Sequence, residues 1–204
     1  MGTDKLLFAK SEGFNLYGYH VPAFELDHNR LLKIWIQIVP PDPELSGYNF
    51  SKYLAKLLQK KRIVNGLYVD KSIPFAGNIS ENKILEKFYP LTVDRFLHRR
   101  KNINEESSSK IKSVLGVEGK DRINRMNFTS RKALSILSAF EDSTCISFDY
   151  YGLDHYGVQK INSIVERELQ NGKSAIGFDN LYYLERIEPS KLVNQIIINA
   201  NTAK

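Results

Sequence analysis

Over the first forty residues apolar and polar positions alternate in short runs, at 5–9, 13–19, 23–26 and 31–39, which is the period-two signature of β-strands. The last run is apolar on both faces except for Lys33 and Gln37, so it predicts a largely buried strand containing Trp35 as a core residue. Asp27-His28-Asn29-Arg30 supplies turn residues between the third and fourth runs, predicting a hairpin and an antiparallel beginning. Pro40-Pro41-Asp42-Pro43 must then be a loop. The period next changes to that of a helix over 51–62, where Tyr53, Leu54, Leu57 and Leu58 share one face opposite Lys52, Lys56 and Lys60.

A short strand pair is expected over 63–73, and a mainly helical stretch over 84–140, broken at Pro90, at 102–109 and at 116–119. Within that stretch the pattern predicts helices at 92–100, starting near Leu91 or Thr92, and at 130–140. The chain then reads strand (144–148), helix (156–171, stopped by Gly172), strand (174–178), helix (181–187) and strand (192–199). That alternation predicts a parallel sheet with crossover helices, so the fold class is α/β with an antiparallel β N-terminal part and a helical insert. The corresponding organisation is a single domain, 1–204, made of a β-rich part at 1–83, a helical part at 84–140 and an α/β part at 141–204.

The 204 residues include 42% hydrophobic and 25% charged positions, which suits a folded globular chain rather than disorder. A lone cysteine, Cys145, in an apolar run excludes a disulfide scaffold and is expected to be buried and inert. His20, His28, His98 and His155 lack metal-ligand spacing, so no metal site is expected. No run approaches the length of a membrane span and no signal-peptide pattern opens the chain, which makes cytoplasmic residence the expectation. A serine hydrolase is disfavoured because no Gly-x-Ser-x-Gly elbow exists. The net charge of +6 would suit an anionic partner, with its densest runs at Lys60-Lys61-Arg62 and at His98-Arg99-Arg100-Lys101. These runs read more simply as solvated helix ends and loops, and give no strong nucleic-acid signal.

The segment Phe148-Asp149-Tyr150-Tyr151-Gly152-Leu153-Asp154, the amphipathic helix behind it, Asn171-Gly172-Lys173, a strand and Asp179-Asn180-Leu181 resemble the C-terminal half of an ABC-type ATPase, the nucleotide-binding domain of ABC transporters. In that family an apolar strand ends in the Walker B aspartate and leads through Gly-Leu-Asp, the D-loop, to a further strand and a switch histidine. The helix from Met126-Asn127-Phe128-Thr129-Ser130 to Phe140 keeps the hydrophobic phase of the signature helix. Pro90-Leu91-Thr92-Val93-Asp94-Arg95-Phe96-Leu97 is similar to the entry to the family's helical subdomain. The resemblance covers roughly residues 88–200, and over 1–60 rests only on element order; it implies a P-loop NTPase fold.

The departures from the family pattern are equally specific. At the P-loop position stands Val39-Pro40-Pro41-Asp42-Pro43-Glu44-Leu45-Ser46-Gly47-Tyr48-Asn49-Phe50-Ser51-Lys52, in which three prolines remove amide donors and two acids would repel a triphosphate. Phe128 falls where the signature motif brings backbone to phosphate, Asp149 is followed by no Glu-Pro, Asp179 replaces the switch histidine, and no glutamine matches a Q-loop. Candidate nucleotide-binding residues reduce to Lys52 and Asp149, and no residue is expected to be catalytic. Asp149 reads either as a Walker B equivalent or as a strand-end carboxylate that caps the adjoining segment. Asp154 reads as a D-loop residue, as a helix N-cap, or both. Tyr150, Tyr151, Asp154, His155 and Asp179 are candidate interface residues.

The resemblance therefore implies a catalytically degenerate ATP-binding-like subunit, a pseudo-ATPase at the inner face of the cell membrane. Its partners would be a transmembrane permease and, in a homo- or heterodimer, an ABC ATPase subunit. No cofactor is firmly implied; ATP with magnesium could bind, but the ATP would not be hydrolysed. The alternatives are a divergent but working ABC ATPase that energises transport, and a basic regulatory or nucleic-acid-associated protein.

Overall fold

A computed structural model describes residues 7–37, 47–79, 88–186 and 192–200. The P-loop-like segment 39–46 and residues 80–86 of the stretch searched for a Q-loop glutamine, 73–86, lie outside the described residues. In chain order the strands are β1 (Ala9–Ser11), β2 (Phe14–Leu16), β3 (Tyr19–Val21), β4 (Phe24–Leu26), β5 (Leu31–Ile36), β6 (Leu67–Val69), β7 (Phe75–Ala76), β8 (Cys145–Asp149), β9 (Ser174–Asn180) and β10 (Val193–Ala200). The helices are α1 (Gly47–Leu58), α2 (Val93–His98), α3 (Glu105–Leu115), α4 (Phe128–Asp142) and α5 (His155–Gln170).

The strands form two sheets. A small antiparallel sheet has the order β4-β1-β6, and a seven-stranded sheet has the order β2-β3-β10-β5-β9-β8-β7. In the larger sheet β10, β5, β9, β8 and β7 run parallel, while β2 and β3 add an antiparallel edge. The expected adjacency of the strands near 144–148 and 174–178 holds: β8 and β9 pair in parallel, with Cys145 opposite Ser174 and Asp149 opposite Phe178. The α/β class, the antiparallel N-terminal part and the parallel sheet are as the sequence predicts.

The centre of the large sheet follows from composition. Every residue of β5 is buried, as is every residue of β8, because helices and the small sheet cover both faces. Leu32, Ile34, Ile36, Ile176 and Phe178 pack with α1 and the antiparallel strands. Leu31, Ile146, Phe148 and Ala175 pack instead with the helices of the second half. α4 runs through the middle of that second layer and is buried from Lys132 to Phe140 without interruption, which explains why its Ala, Leu and Ile positions show so little polar face.

Four local expectations are corrected. The hairpin between 23–26 and 31–39 does not exist: β4 pairs with β1 in the small sheet, whereas β5 enters the large one. A strand apolar on both faces needs cover on both, which an edge hairpin cannot supply. The strand pair over 63–73 reduces to β6, which pairs with β1 and not with a neighbour in sequence. The helix expected over 51–62 begins at Gly47 and ends at Leu58, and Lys60 then takes a left-handed backbone conformation with φ 56°. Consequently Lys60, Lys61 and Arg62 lie beyond the helix rather than on it. The stretch expected as a helix over 181–187 is a 3-10 turn, Leu181–Arg186.

Candidate functional site at the strand ends

The C-terminal ends of β5, β8 and β9 lie side by side, which in an open parallel sheet is where ligands bind. Two carboxylates stand there, Asp149 at the last position of β8 and Asp179 near the end of β9. Both are buried, with 2% and 4% of their surfaces exposed. Each is matched by a lysine from elsewhere in the chain.

Lys132 comes from α4 and is fully buried. Its ammonium pairs with the Asp149 carboxylate and donates to the Asp149 carbonyl at 2.8 Å and to the Tyr151 carbonyl at 3.4 Å. Three oxygens from the end of β8 thus surround one cation, the arrangement that offsets the cost of burying a charge.

Lys33 belongs to β5 and is buried as completely. Its Nζ lies 3.0 Å from Asp179 Oδ2 and sits over two rings, 4.2 Å from the centre of Trp35 and 3.9 Å from that of Tyr150. Strand register sets up this cage, since Trp35 is opposite Asp179 and Lys33 is opposite Gly177. Gly177 leaves room for the Tyr150 ring, whose Cε2 would lie 2.8 Å from a Cβ built at that position. The ring is held from its far end by Asn162 of α5, whose side-chain oxygen accepts from the Tyr150 hydroxyl at 2.8 Å. Trp35 Nε1 donates to Gln195 Oε1 at 2.8 Å and is anchored in turn. Burial lowers the Lys33 pKa and raises that of Asp179, in both cases against the attraction of the partner charge.

The remaining sequence-derived candidates separate by exposure. Tyr150 and Asp179 are interior groups of the monomer, so neither offers a surface to a partner; Tyr150 covers Lys33 and Asp179 pairs with it. The pKa values of the Tyr150 and Tyr151 hydroxyls are pushed up by burial, with the Asp179 charge adding to the effect. The Tyr151 hydroxyl is buried without a hydrogen-bond partner among the described residues, 3.0 Å from where a Cβ at Gly47 would stand. Asp154 is exposed and caps α5, its Oδ1 accepting from Gly157 N at 2.7 Å. His155 is exposed beside it, and the next residue, Tyr156, is 79% exposed. Lys52 is exposed on α1, with its Nζ 3.9 Å from the centre of the Tyr48 ring, and makes no ion pair with Asp149 or Asp179, which Lys132 and Lys33 hold.

The start of α4 is closed by its own residues. Asn127 caps it by accepting from Ser130 N at 2.8 Å. Phe128 lies against Gly152, where a Cβ would come within 3.0 Å of its ring and where φ is +80°. An aromatic side chain therefore fills the approach to this helix end.

Sequence reasoning missed Lys33 and Lys132 as site residues. A signal was present in each case, a lysine inside an otherwise apolar strand or helix, because a buried ammonium requires a partner. The identity of that partner depends on strand register and helix packing. Among the described residues no three His, Cys, Asp or Glu side chains converge as metal ligands. Asp149, the one carboxylate that the resemblance assigns to magnesium, is already bound by an ammonium that a dication would repel. The described residues thus do not fit a magnesium nucleotide at this position.

No family model and no curated protein matches the chain. Solved structures do. A nucleotide-free ATP-binding cassette from an ABC transporter superposes with a TM-score of 0.64 at 12% identity, covering 96% of this chain and 89% of the other. A metal-chelate type ABC transporter in an inward-facing conformation gives 0.63 at 15% identity, covering 86% and 73%. The cbiO1 protein of Clostridium perfringens, part of the ABC transporter complex cbiONQ, gives 0.55 at 13% identity, covering 85% and 78%. With its central parallel sheet, antiparallel N-terminal part and buried helix starting at the strand tips, the chain has the fold of an ABC transporter ATP-binding cassette.

Proposed function

We propose that this protein is a catalytically degenerate ATP-binding-like subunit of an ABC transporter. It acts by contact, as a structural or regulatory partner of a permease and of an active ATPase subunit. The observation that carries this reading is the pair of internal lysines: Lys132 holds Asp149 and Lys33 holds Asp179, at the two strand ends where the family handles magnesium and the γ-phosphate. Charges that a nucleotide complex would have to satisfy are satisfied by the chain itself. The start of α4 supports the same reading, since the Asn127 cap takes up the Ser130 amide and the Phe128 ring fills the space beside Gly152.

A protein of this kind can still complete a dimer and bias a permease's conformation, because only differential contact energy is needed to shift a conformational equilibrium. On this reading Asp154, His155 and Tyr156 would meet a dimer partner, which their exposure at the start of α5 supports. No described helix is long and apolar enough to cross a membrane, so on this reading attachment to the bilayer is through the permease.

Two measurements test the proposal. Isolation of the tagged native complex from a detergent extract should recover a multi-span permease together with a second ATPase, and the purified chain alone should show no magnesium-dependent ATP turnover. Turnover that Asp149→Asn abolishes would overturn it.

A further inference from the structure

The chain's charge asymmetry is concentrated in one place. Residues 45–69 contain Lys52, Lys56, Lys60, Lys61 and Arg62 and no acidic residue at all. The other 24 basic residues are nearly cancelled by 23 acidic ones, so this segment carries almost the whole net charge of +6.

In the fold all five cations are exposed, on α1 and just past its end. Lys52 and Lys56 lie one turn apart on the solvent side of α1, about 6 Å along its axis. Lys60, Lys61 and Arg62 follow just past the helix end, where the Lys60 ammonium donates to the Asp70 carbonyl at 2.5 Å. None of the five forms an ion pair with a described carboxylate, in contrast to Lys33 and Lys132. Aromatic rings run alongside: Lys52 lies over Tyr48, and Lys56 and Arg62 both lie near Tyr53, at 5.5 and 5.7 Å from its centre. Tyr17 at the tip of the β2–β3 hairpin packs against Tyr53 with ring centres 4.7 Å apart, and its hydroxyl accepts from Arg62 at 3.0 Å. Tyr17 is 46% exposed and has a left-handed backbone, φ 47°.

We infer that this basic face is a docking surface for single-stranded nucleic acid, the cations meeting phosphodiester groups and Tyr17 offering a ring to a base. The chemistry of the surface favours this occupant over a lipid bilayer. Ile63 is the one strongly exposed aliphatic side chain beside the cations, whereas a face that sits in a bilayer presents a broad apolar side as well. A polyanion with π-faces matches exposed cations flanked by tyrosines.

The test is fluorescence anisotropy of a labelled 20-nucleotide oligothymidine with the full chain across a salt series. If all five cations meet phosphates, log K should fall against log salt with a slope of about −3.5, or roughly a hundredfold between 50 and 200 mM. Lys52→Gln/Lys56→Gln, and separately Lys60→Gln/Lys61→Gln, should each flatten that slope by about 1.4. Tyr17→Ala should weaken binding roughly tenfold. Arg99→Gln/Lys101→Gln, on the exposed run after α2, should change nothing, and far-UV circular dichroism should show every variant folded. Absence of binding at 50 mM salt, a slope indifferent to the α1 changes, or attachment to phosphatidylglycerol vesicles without any to the oligonucleotide would each overturn the inference.

Discussion

The strand ends and the outer face of α1 each hold lysines beside aromatic rings, yet they treat charge in opposite ways. At the strand ends Lys33 and Lys132 are buried and each has a carboxylate within contact distance. Along α1 and just past its end five cations are exposed, and none of them forms an ion pair with a described carboxylate. The difference follows from solvation: an interior ammonium must be paired or neutral, whereas a surface ammonium is satisfied by water and remains available to something else. The first region pairs its charges internally, and the second leaves them to the solvent.

Breaking an interior pair should therefore produce the largest effect. Lys132→Met leaves Asp149 buried without its cation and should cost about 3–5 kcal/mol in urea unfolding. Lys132→Met combined with Asp149→Leu should recover most of that loss, because the cost lies in the orphaned charge rather than in the missing attraction. Little recovery in the double variant would mean that Lys132 stabilises the fold chiefly through the two carbonyls it also touches.

Gly177→Ala comes next. The new Cβ would press on the Tyr150 ring, displacing the lid over Lys33, and should cost about 1–3 kcal/mol, read as a lower urea midpoint. The same cage predicts a pH dependence. Asp179 holds its proton to higher pH than the ordinary 3.8, so just above that value the folded state binds more protons than the unfolded one and stability falls as pH rises. Lys33 releases its proton below the ordinary 10.5, so just below that value the unfolded state binds more protons and stability rises with pH. Urea midpoints measured across both ranges should show these two slopes, and Lys33→Met/Asp179→Leu should flatten both. A smaller change is expected at the α5 cap, where Asp154→Ala removes the bond to Gly157 N and should cost about 1 kcal/mol. At the far end of the scale, Lys56→Gln on the open face should shift stability by no more than about 0.5 kcal/mol, which would confirm that this cation is not held by the fold.

Much of the second half of the molecule was legible in its sequence because local signals agree there. The α5 helix has its cap at Asp154, a regular apolar stripe through Ile161, Ile164, Val165 and Leu169, and a stop at Gly172 with φ +87°. β8 and β9 are apolar runs of strand length on either side of it, and right-handed crossover geometry then makes them parallel neighbours. The N-terminal part was misread because short strands do not encode their partners. Phe24-Glu25-Leu26 has the same alternation whether it pairs with β5, as the intervening turn suggests, or with β1, as it does. The start of α1 was missed because Gly47, Tyr48 and Asn49 are weak helix formers, and burial of Phe50 beneath the Tyr19 ring carries that turn into the core.

By itself, the order of apolar periods determined an α/β chain with an antiparallel beginning, and the loss of glycines and of a histidine at named positions pointed away from phosphate chemistry. Only the tertiary structure decided which lysine answers which carboxylate. Lys33 is 146 positions from Asp179, and Lys132 is 17 from Asp149, so each pair depends on register and helix placement that are settled only when the sheet closes around them. Charge pairing in an interior is a property of the assembled fold, because the demand for a partner arises only when water has been removed.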